Sequence, residues 1–342
     1  MLSRGALNRA TLARQMLLGR ENIKPLAAIE RLAGMQAQLA RPPFIGLWSR
    51  IEGFRREDLL RLIERGDVIR ATWIRATIHL LSRRDFVKFR STIQAALSGG
   101  MPVLRKRGAD FDEAMLLATG REFFADPHTF DEFRKFLLQR DPKCDERTTA
   151  YAVRLHLPMT IERAEGRWGY PSASRFTVAE PVDAEKRIED FVLRYLAAFG
   201  PASVNDMQIW SAMRNLRAVF EALRPKLVTF RDERGKELFD LPKAPRPDED
   251  VEAPVRFLPD YDNLMLAYAD RARIIADDHR KHMITRNLGV LPAFLVDGVV
   301  AGTWKIERKK LVLNPFVKLS KKVRAELDEE GEKLVQFVEG SV

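Results

Sequence analysis

The stretch 185–241 constrains the fold most strongly, because its local signals specify five short elements in a fixed order. A first helix is indicated by apolar residues at helical spacing, namely Phe191, Leu193 and Leu196. After a Gly-Pro turn, Ser203 and Asp206 form a capping box that begins a second helix. The remaining elements are a third helix and two strands around a polar tip, predicted over 215–223, 227–230 and 237–241. Three helices followed by a hairpin are typical of a winged helix-turn-helix.

The same order recurs, less distinctly, in two other parts of the chain. Residues 129–178 contain a capped helix, a second helix near 150–155 and a hairpin within 160–178. Near the N-terminus two helical patterns lie on either side of Gly19, and a third ends at Gly66. We interpret these segments as three degenerate repeats of one unit. The predicted fold class is therefore mainly α with small β-wings (α+β), built of tandem winged helix-turn-helix repeats.

A connector rich in proline and acidic residues separates the repeats from a C-terminal part. There Asp297-Gly298 lies between apolar runs, which predicts a hairpin, and a charged helix follows. We expect a C-terminal β-rich, barrel-like sheet closed by that helix. The predicted domains are three winged-helix units and this last part, over 1–110, 111–182, 183–243 and 253–342.

The segment 68–81, VIRATWIRATIHLL, alternates apolar and polar side chains as a half-buried strand does. The apolar side consists of Ile74, Ala76, Ile78 and Leu80, and the polar side of Arg75, Thr77 and His79. Ser82, with Asp85 three positions later, predicts the start of a helix directly afterwards. We therefore expect one strand with a polar face, followed by a capped helix.

Positive charge is concentrated in the first third of the chain. The protein has a formal net charge of +10, and residues 1–110 carry 21 Lys and Arg against 9 Asp and Glu. The rest of the chain carries 37 against 39 and is nearly neutral. Arginine dominates the basic third, and its guanidinium can fork onto a phosphate or stack on a base. This pattern favours a polyanionic partner such as nucleic acid, and a solvated basic face is the alternative.

The chain lacks the sequence signatures of several classes of enzyme and ligand-binding protein. The chain has no phosphate loop, no dinucleotide glycine fingerprint, no nucleophile elbow and no His-rich metal motif. Cys144 is the only cysteine, which excludes an intramolecular disulfide and fits a reducing compartment. The most apolar stretch, 289–303, is interrupted by Asp297 and is too short to span a bilayer. We expect a cytoplasmic protein that is not integral to a membrane and that binds no metal.

Gln36-Ala37-Gln38 is the polar motif that points most directly to chemistry. It follows an amphipathic helical pattern and precedes Pro42-Pro43, where we expect that helix to end. On a helix the two amides point about 200° apart, whereas on an extended backbone positions i and i+2 share a side. Two neutral amides facing one cleft can hold a water molecule by hydrogen bonds. On residue types alone, the simpler interpretation is that both glutamines cap a helix end.

Five segments together resemble one known family. They are LARQMLLGR (12–20), LAGMQAQLARPPFIGLWSRI (32–51), IRATWIRATIHLLSRRDF (69–86), FLPDYDNLML (257–266) and DGVVAGTW (297–304). Over nearly the whole chain the pattern is similar to the bacterial winged-helix DNA glycosylases of the AlkZ and YcaQ type, which excise bulky alkylated purines and unhook interstrand crosslinks. The resemblance implies tandem winged helices around a concave DNA-binding surface, with a C-terminal β-rich portion.

The resemblance also implies site residues. The family's hallmark is a Gln-x-Gln or Gln-x-Asp motif, and Gln36-Ala37-Gln38 matches the first form, so Gln36 and Gln38 are the expected catalytic residues. An Arg-x-Thr-x-His element of the family, expected near the DNA cleft, is matched by Arg75, Thr77 and His79. The other arginines expected to bind DNA phosphates are Arg41, Arg50, Arg83 and Arg84.

The base excision that the resemblance implies needs few catalytic groups, so two glutamines are compatible with it. A purine alkylated at N7 is cationic and a good leaving group, so its departure needs little acid catalysis. What remains is to position water and to stabilise an oxocarbenium-like sugar, and no metal or organic cofactor is expected. The expected partner is double-stranded DNA with alkylated or crosslinked purines, bound in an open cleft by a monomer at the bacterial nucleoid. Hydrolysis of the N-glycosidic bond leaves an abasic site.

Two other interpretations stay open. The first is a non-catalytic winged-helix DNA-binding protein, either a regulator or a structure-specific binder. The second is a protein–protein adaptor whose basic face binds acidic partners. Release of a base identifies the enzyme, whereas steeply salt-dependent DNA binding without release favours the binder.

Overall fold

The structure, a computed structural model, describes residues 1–99, 112–179, 182–285 and 289–340. Within these ranges no helix is both long and apolar enough to cross a membrane. The domain boundary that we predict between residues 110 and 111 lies outside the described residues.

Helices and short strands alternate along the described chain. The α-helices are α1 (Arg4–Arg14), α2 (Pro25–Arg31), α3 (Pro42–Trp48), α4 (Arg56–Arg65), α5 (Arg83–Ser98), α6 (Glu113–Phe123), α7 (Phe130–Arg140), α8 (Glu146–His156), α9 (Ile188–Phe199), α10 (Val204–Ser211), α11 (Arg217–Leu223), α12 (Asp277–Arg280) and α13 (Lys321–Glu339). The strands are β1 (Met35–Gln36), β2 (Val68–Thr72), β3 (Ile78–Ser82), β4 (Met159–Ile161), β5 (Phe176–Val178), β6 (Val228–Arg231), β7 (Glu237–Asp240), β8 (Arg256–Leu258), β9 (Ala293–Val296), β10 (Val299–Glu307) and β11 (Lys310–Pro315). The fold is therefore a mixed α+β fold.

Five strands from the first half of the chain form one antiparallel sheet in the order β1-β3-β2-β4-β5. Strands β2 and β3 pair along their whole length, from Val68↔Ser82 to Thr72↔Ile78. Arg70 of β2 also pairs with Ile161 of β4. The first two domains that we predict from the sequence therefore contribute strands to a shared sheet.

The segment 68–81 is a hairpin, so the single alternating strand predicted from its sequence is wrong. The chain reverses over a 3-10 turn, Ile74–Ala76, that joins β2 to β3. Arg75 and Ala76 have φ angles of 56° and 57°, in the left-handed region that permits a tight reversal. No glycine or Asn-Gly pair marks this turn, and apolar and polar residues alternate in both arms. Alternation alone does not distinguish such a hairpin from one long strand.

Pro42 begins helix α3, which corrects the helix end expected at Pro42-Pro43. Helix α2 ends earlier, at Arg31, and Gly34, with a φ of 84°, turns the chain into β1. Proline suits the first turn of a helix because its missing N–H would have no intrahelical acceptor there. The Gln36-Ala37-Gln38 segment thus lies between α2 and α3, and neither helix has a side-chain cap from it.

The stretch 188–240 contains the predicted order of three helices and a hairpin. Helices α9, α10 and α11 are followed by β6 and β7, which pair from Val228↔Asp240 to Arg231↔Glu237. The predicted capping box is confirmed, because the Ser203 hydroxyl accepts from the Asp206 N–H at 3.2 Å and the Ser203 N–H donates to the Asp206 carboxylate at 2.8 Å. The helix predicted after Ser82 is likewise confirmed as α5.

The C-terminal sheet is open, so the predicted barrel-like closure is wrong. Its strand order is β11-β10-β9-β8, and within the described ranges its two edge strands do not pair with each other. The Asp297-Gly298 hairpin is confirmed as the turn between β9 and β10. Helix α13 packs on the sheet and buries Leu327 and Leu334. Because four strands are too few to enclose a core, the helix supplies the apolar surface that a barrel interior would have provided.

Candidate functional site

Gln36 and Gln38 lie on an extended segment beside the β2–β3 hairpin. Gln36 pairs with His79 of β3, and the Ala37 N–H donates to the Ile78 carbonyl at 2.8 Å. Ala37 is fully buried, Gln36 is 7% exposed and Gln38 is partly exposed. Gln36 ends β1 and Gln38 follows in a bend, and the side chains of both contact the β2–β3 hairpin.

The hydrogen bonds fix which way each amide points. Gln36 Oε1 accepts from Arg75 Nη2 at 2.7 Å, and Gln38 Oε1 accepts from the Ile78 N–H at 3.1 Å. A guanidinium and a backbone N–H can only donate, so each amide must turn its oxygen toward the hairpin. Among the residues that the structure describes, no acceptor binds either amide nitrogen. Both NH₂ groups are thus available to a water molecule or a ligand.

Arg75, in the turn of the hairpin, holds three parts of the chain together. Its guanidinium donates to Gln36 Oε1 at 2.7 Å, to Asn263 Oδ1 at 3.3 Å and to the Trp210 carbonyl at the end of α10. Burial, and then the nearby charge of Arg271, lower the pKa of Arg75 to about 10, so the group is still a cation at neutral pH. Its hydrogen bond fixes the direction of the Gln36 amide.

A segment far along the chain completes the site. Asn263 accepts from Arg75 and donates through Nδ2 to the Gly34 carbonyl at 3.0 Å, a contact between residues 229 positions apart. Its neighbour Asp262 forms an ion pair with Arg50 at 3.0 Å, and both side chains are almost fully buried. These contacts fix the 260–263 segment against the glutamine segment.

A small cleft lies between the two segments. Its walls include Gln36, Pro42, Pro43, Asp260, Tyr261 and Asn263. The Asp260 carboxylate is 19% exposed and lies 3.5 Å from Arg41. Burial raises the pKa of Asp260, and the charge of Arg41 opposes that rise. The cleft therefore combines a neutral amide with a partly buried carboxylate.

The sequence alone assigns no role to the 260–263 segment. FLPDYDNLML contributes to the family resemblance, but its polar residues form no catalytic or ligand-binding motif of their own. The available signal is a group of polar side chains, Asp260, Asp262 and Asn263, enclosed by apolar residues directly after the buried strand β8. Such a group in an apolar context indicates a site or an internal ion pair, and here it supplies both.

His79 and Thr77 belong to the β2–β3 hairpin, where His79 pairs with Gln36 and Thr77 follows the 3-10 turn. His79 is fully buried, and burial together with the Arg75 charge holds its pKa well below the ordinary value, so the ring is neutral. The Thr77 hydroxyl donates to the Ile74 carbonyl at 3.1 Å. The structure thus places both residues close to Gln36, yet His79 has no surface from which to contact DNA.

The predicted phosphate-binding arginines occupy different environments. Arg50 is 1% exposed and donates to the Gln15 and Gly46 carbonyls as well as to Asp262, so no phosphate can reach it. We therefore leave Arg50 out of the proposed contacts. Arg83 and Arg84 are exposed at the start of α5, and Arg41 is partly exposed beside the cleft.

Much of the arginine in the basic third is internal. Within residues 1–99, which the structure describes, the buried arginines are Arg9, Arg14, Arg50, Arg56, Arg70 and Arg90. Arg14, for example, forms a bidentate pair with the buried Asp240 at 2.7 and 2.8 Å. The net charge of this third consequently overstates its exposed basic surface, because sequence composition does not distinguish internal guanidiniums from exposed ones.

Comparison with known proteins agrees with this fold. The family model described as DNA glycosylase AlkZ-like matches residues 29–337, which include both glutamines and the 260–263 segment. Among solved structures, the Streptomyces sahachiroi DNA glycosylase AlkZ superposes with a TM-score of 0.80 over 99% of this chain and 98% of that chain, at 19% sequence identity. At that identity the likeness establishes a shared fold. No curated protein sequence matches the chain significantly.

Proposed function

Because the chain belongs to the AlkZ-like DNA glycosylase family, we propose that it hydrolyses the N-glycosidic bond of purines alkylated at N7, including bulky and crosslinked ones, in duplex DNA. The observation that carries the proposal is the fixed orientation of Gln36 and Gln38. Both amides turn their oxygens to the hairpin and leave their NH₂ groups unused. Free amide donors without charge are able to hold a water nucleophile by hydrogen bonds.

The chemistry follows from the leaving group. An N7-alkylated purine departs as a neutral base, and positive charge develops on the sugar. An amide N–H that donates to the water oxygen holds the water in place and leaves its other lone pair directed at the sugar carbon. Gln36 and Gln38 add no charge of their own, so they do not repel the cationic purine. We expect Arg41, Arg83 and Arg84 to contact phosphates near the lesion and the protein to act as a monomer.

Base release from a defined lesion tests the proposal. Incubation with duplex DNA carrying N7-methylguanine is expected to release the methylated base and to leave an abasic site, measured by chromatography of the base and by alkali cleavage of the strand. The strand should stay intact without alkali, because the glutamine motif contains no lysine for a Schiff base. Unmodified duplex serves as the control. Salt-dependent binding to both duplexes with no release from any alkylated duplex would instead establish the non-catalytic binder.

Arg83 and Arg84 provide a second prediction, for DNA affinity. Replacing both by alanine is expected to weaken binding about tenfold at physiological salt and to reduce the slope of log affinity against log salt by about two units. The loss should be the same for damaged and undamaged duplex, because phosphate contacts carry no sequence information. Fluorescence anisotropy at several salt concentrations gives both quantities.

The matched control removes two exposed cations elsewhere on the protein. Arg147 and Lys322, whose side chains are both 84% exposed, are replaced by alanine. An unchanged slope in the Arg83 and Arg84 variant, or an equal loss in the control, would contradict the assignment of these two residues to the DNA-binding surface.

A further inference from the structure

The glutamine pair leaves one step of the proposed reaction without a residue to perform it. When water attacks the sugar carbon, a C1′–O bond forms, the N-glycosidic bond breaks and its electron pair leaves with the purine. The alkylated purine cation thereby becomes a neutral base, and the water must lose one proton. A neutral amide donates and accepts hydrogen bonds but takes up no proton near neutral pH. Another group has to accept that proton.

Asp260 is placed to accept it. It lines the same cleft as Gln36, in the wall that the 260–263 segment forms. Two contacts hold this segment, since Asp262 is paired with buried Arg50 and Asn263 is bonded to both Arg75 and Gly34. A carboxylate in this cleft is available to a water that the Gln36 NH₂ holds by one hydrogen bond.

We propose that Asp260 is the general base of this site, and that its carboxylate accepts the proton that the attacking water loses as the C1′–O bond forms. This inference rests on the proposed function and deepens it. A carboxylate beside the reacting sugar also stabilises, by attraction, the positive charge that develops on that sugar. After release of the neutral purine, the proton passes from Asp260 to solvent.

The surrounding charges suit this role. Among the described residues, the other charged or titratable groups that line the cleft are Arg50, Tyr261 and Asp262, and Arg41 lies beside Asp260. Arg50 and Asp262 neutralise each other, so Arg41 is the cation that acts on Asp260. Burial raises the pKa of Asp260 and so makes its carboxylate a stronger base, and the charge of Arg41 opposes that rise.

Asp260→Asn is the first test. The change keeps the shape of the side chain and removes the base, so the single-turnover rate of release from N7-methylguanine duplex is expected to fall about 10²–10³-fold while DNA affinity is retained. Asp260→Glu, which keeps a carboxylate, should recover part of the rate. Asp278→Asn makes the same charge change at a side chain that is 78% exposed and should leave the rate unaltered.

The pH profile separates a base from a structural residue. A carboxylate with a raised pKa works above that pKa, so the wild-type rate should fall as the pH drops through it, and Asp260→Asn should lack this acidic limb. Arg41 lowers the pKa of Asp260, so Arg41→Ala should move the limb to higher pH, whereas Arg41→Lys, which keeps the charge, should leave it near the wild-type position.

Each outcome of these experiments either supports or overturns the role of Asp260 as general base. Loss of rate together with loss of the acidic limb supports the inference. A rate in Asp260→Asn close to that of the wild type overturns it but leaves the proposed function intact, because the wild type still releases base. If Asp260→Asn fails to fold, the Arg41→Ala profile decides, since an unmoved limb overturns the inference and a moved limb supports it. A wild type that releases no base overturns the proposed function and this inference with it.

Discussion

Replacing Gln36 by alanine is expected to slow base release about 10²–10³-fold, the usual cost of losing one donor aimed at a reacting centre. The Gln36 NH₂ points away from Arg75, and alanine removes it without adding charge. Asn263 Oδ1 remains as an acceptor for Arg75 at 3.3 Å, so the protein should stay folded. Single-turnover rates on N7-methylguanine duplex give the ratio, and anisotropy on undamaged duplex checks that DNA binding is retained.

Three further variants and one control extend this test. Gln36→Glu keeps an acceptor for Arg75 but loses the NH₂, so it should lose rate as alanine does. Gln38→Ala should fall in the same range, and the double alanine variant should be about as slow as the slower single one, because groups that act on one water are not additive. Gln139→Ala, at an exposed position of α7, should keep the wild-type rate. Excision that persists in the double variant would contradict the role of both glutamines.

The regular elements of this fold could be predicted where local signals agree with one another. In 188–240 helical spacing, the Ser203 capping box and polar turns all favour one arrangement, and the structure has it. The β2–β3 hairpin shows the opposite case, because its turn is made by Arg75 and Ala76 in left-handed conformations without a glycine. Such a turn is stabilised by tertiary contacts, including the three that Arg75 makes, and these are not visible in local sequence.

The site could be predicted in part for a similar reason. The Gln-x-Gln motif is contiguous, so a resemblance to a family identifies it, and the extended backbone follows once no helix covers it. Asn263 and Asp260 meet Gln36 only through the folding of the chain, which brings residues 229 positions apart into contact. For Arg50 the prediction is wrong in the opposite way. Its place in a basic stretch predicts a contact with a DNA phosphate, but its guanidinium is buried and paired with Asp262. Burial, which composition does not encode, decides between the two uses.

Replacing Asp262 by leucine is expected to lower the free energy of unfolding by about 3–5 kcal/mol, because Arg50 is left as an unpaired cation in the interior. The two side chains are 1% and 4% exposed and their charged atoms lie 3.0 Å apart. The Asp262 carboxylate also accepts from the Leu264 N–H at 3.0 Å, so the 260–263 segment loses an anchor. Urea unfolding followed by tryptophan fluorescence measures the loss. As the control, Glu307→Gln breaks an exposed pair with Lys305 and should change stability by less than about 1 kcal/mol.

The double variant Arg50→Met, Asp262→Leu tests which effect destabilises Asp262→Leu. In the double variant no unpaired Arg50 cation remains, but the hydrogen bond from the Leu264 N–H to Asp262 is still lost. Replacing a buried ion pair by apolar residues of similar volume is often close to neutral, because neither partner then has to be desolvated. The double variant should therefore be more stable than Asp262→Leu alone. A double variant less stable than either single one would mean that the bonds from Arg50 to the Gln15 and Gly46 carbonyls hold this region together. Asp260 lies in the same segment. If the ion pair serves the site only by holding that segment in place, the double variant should recover base release to the same degree as it recovers stability.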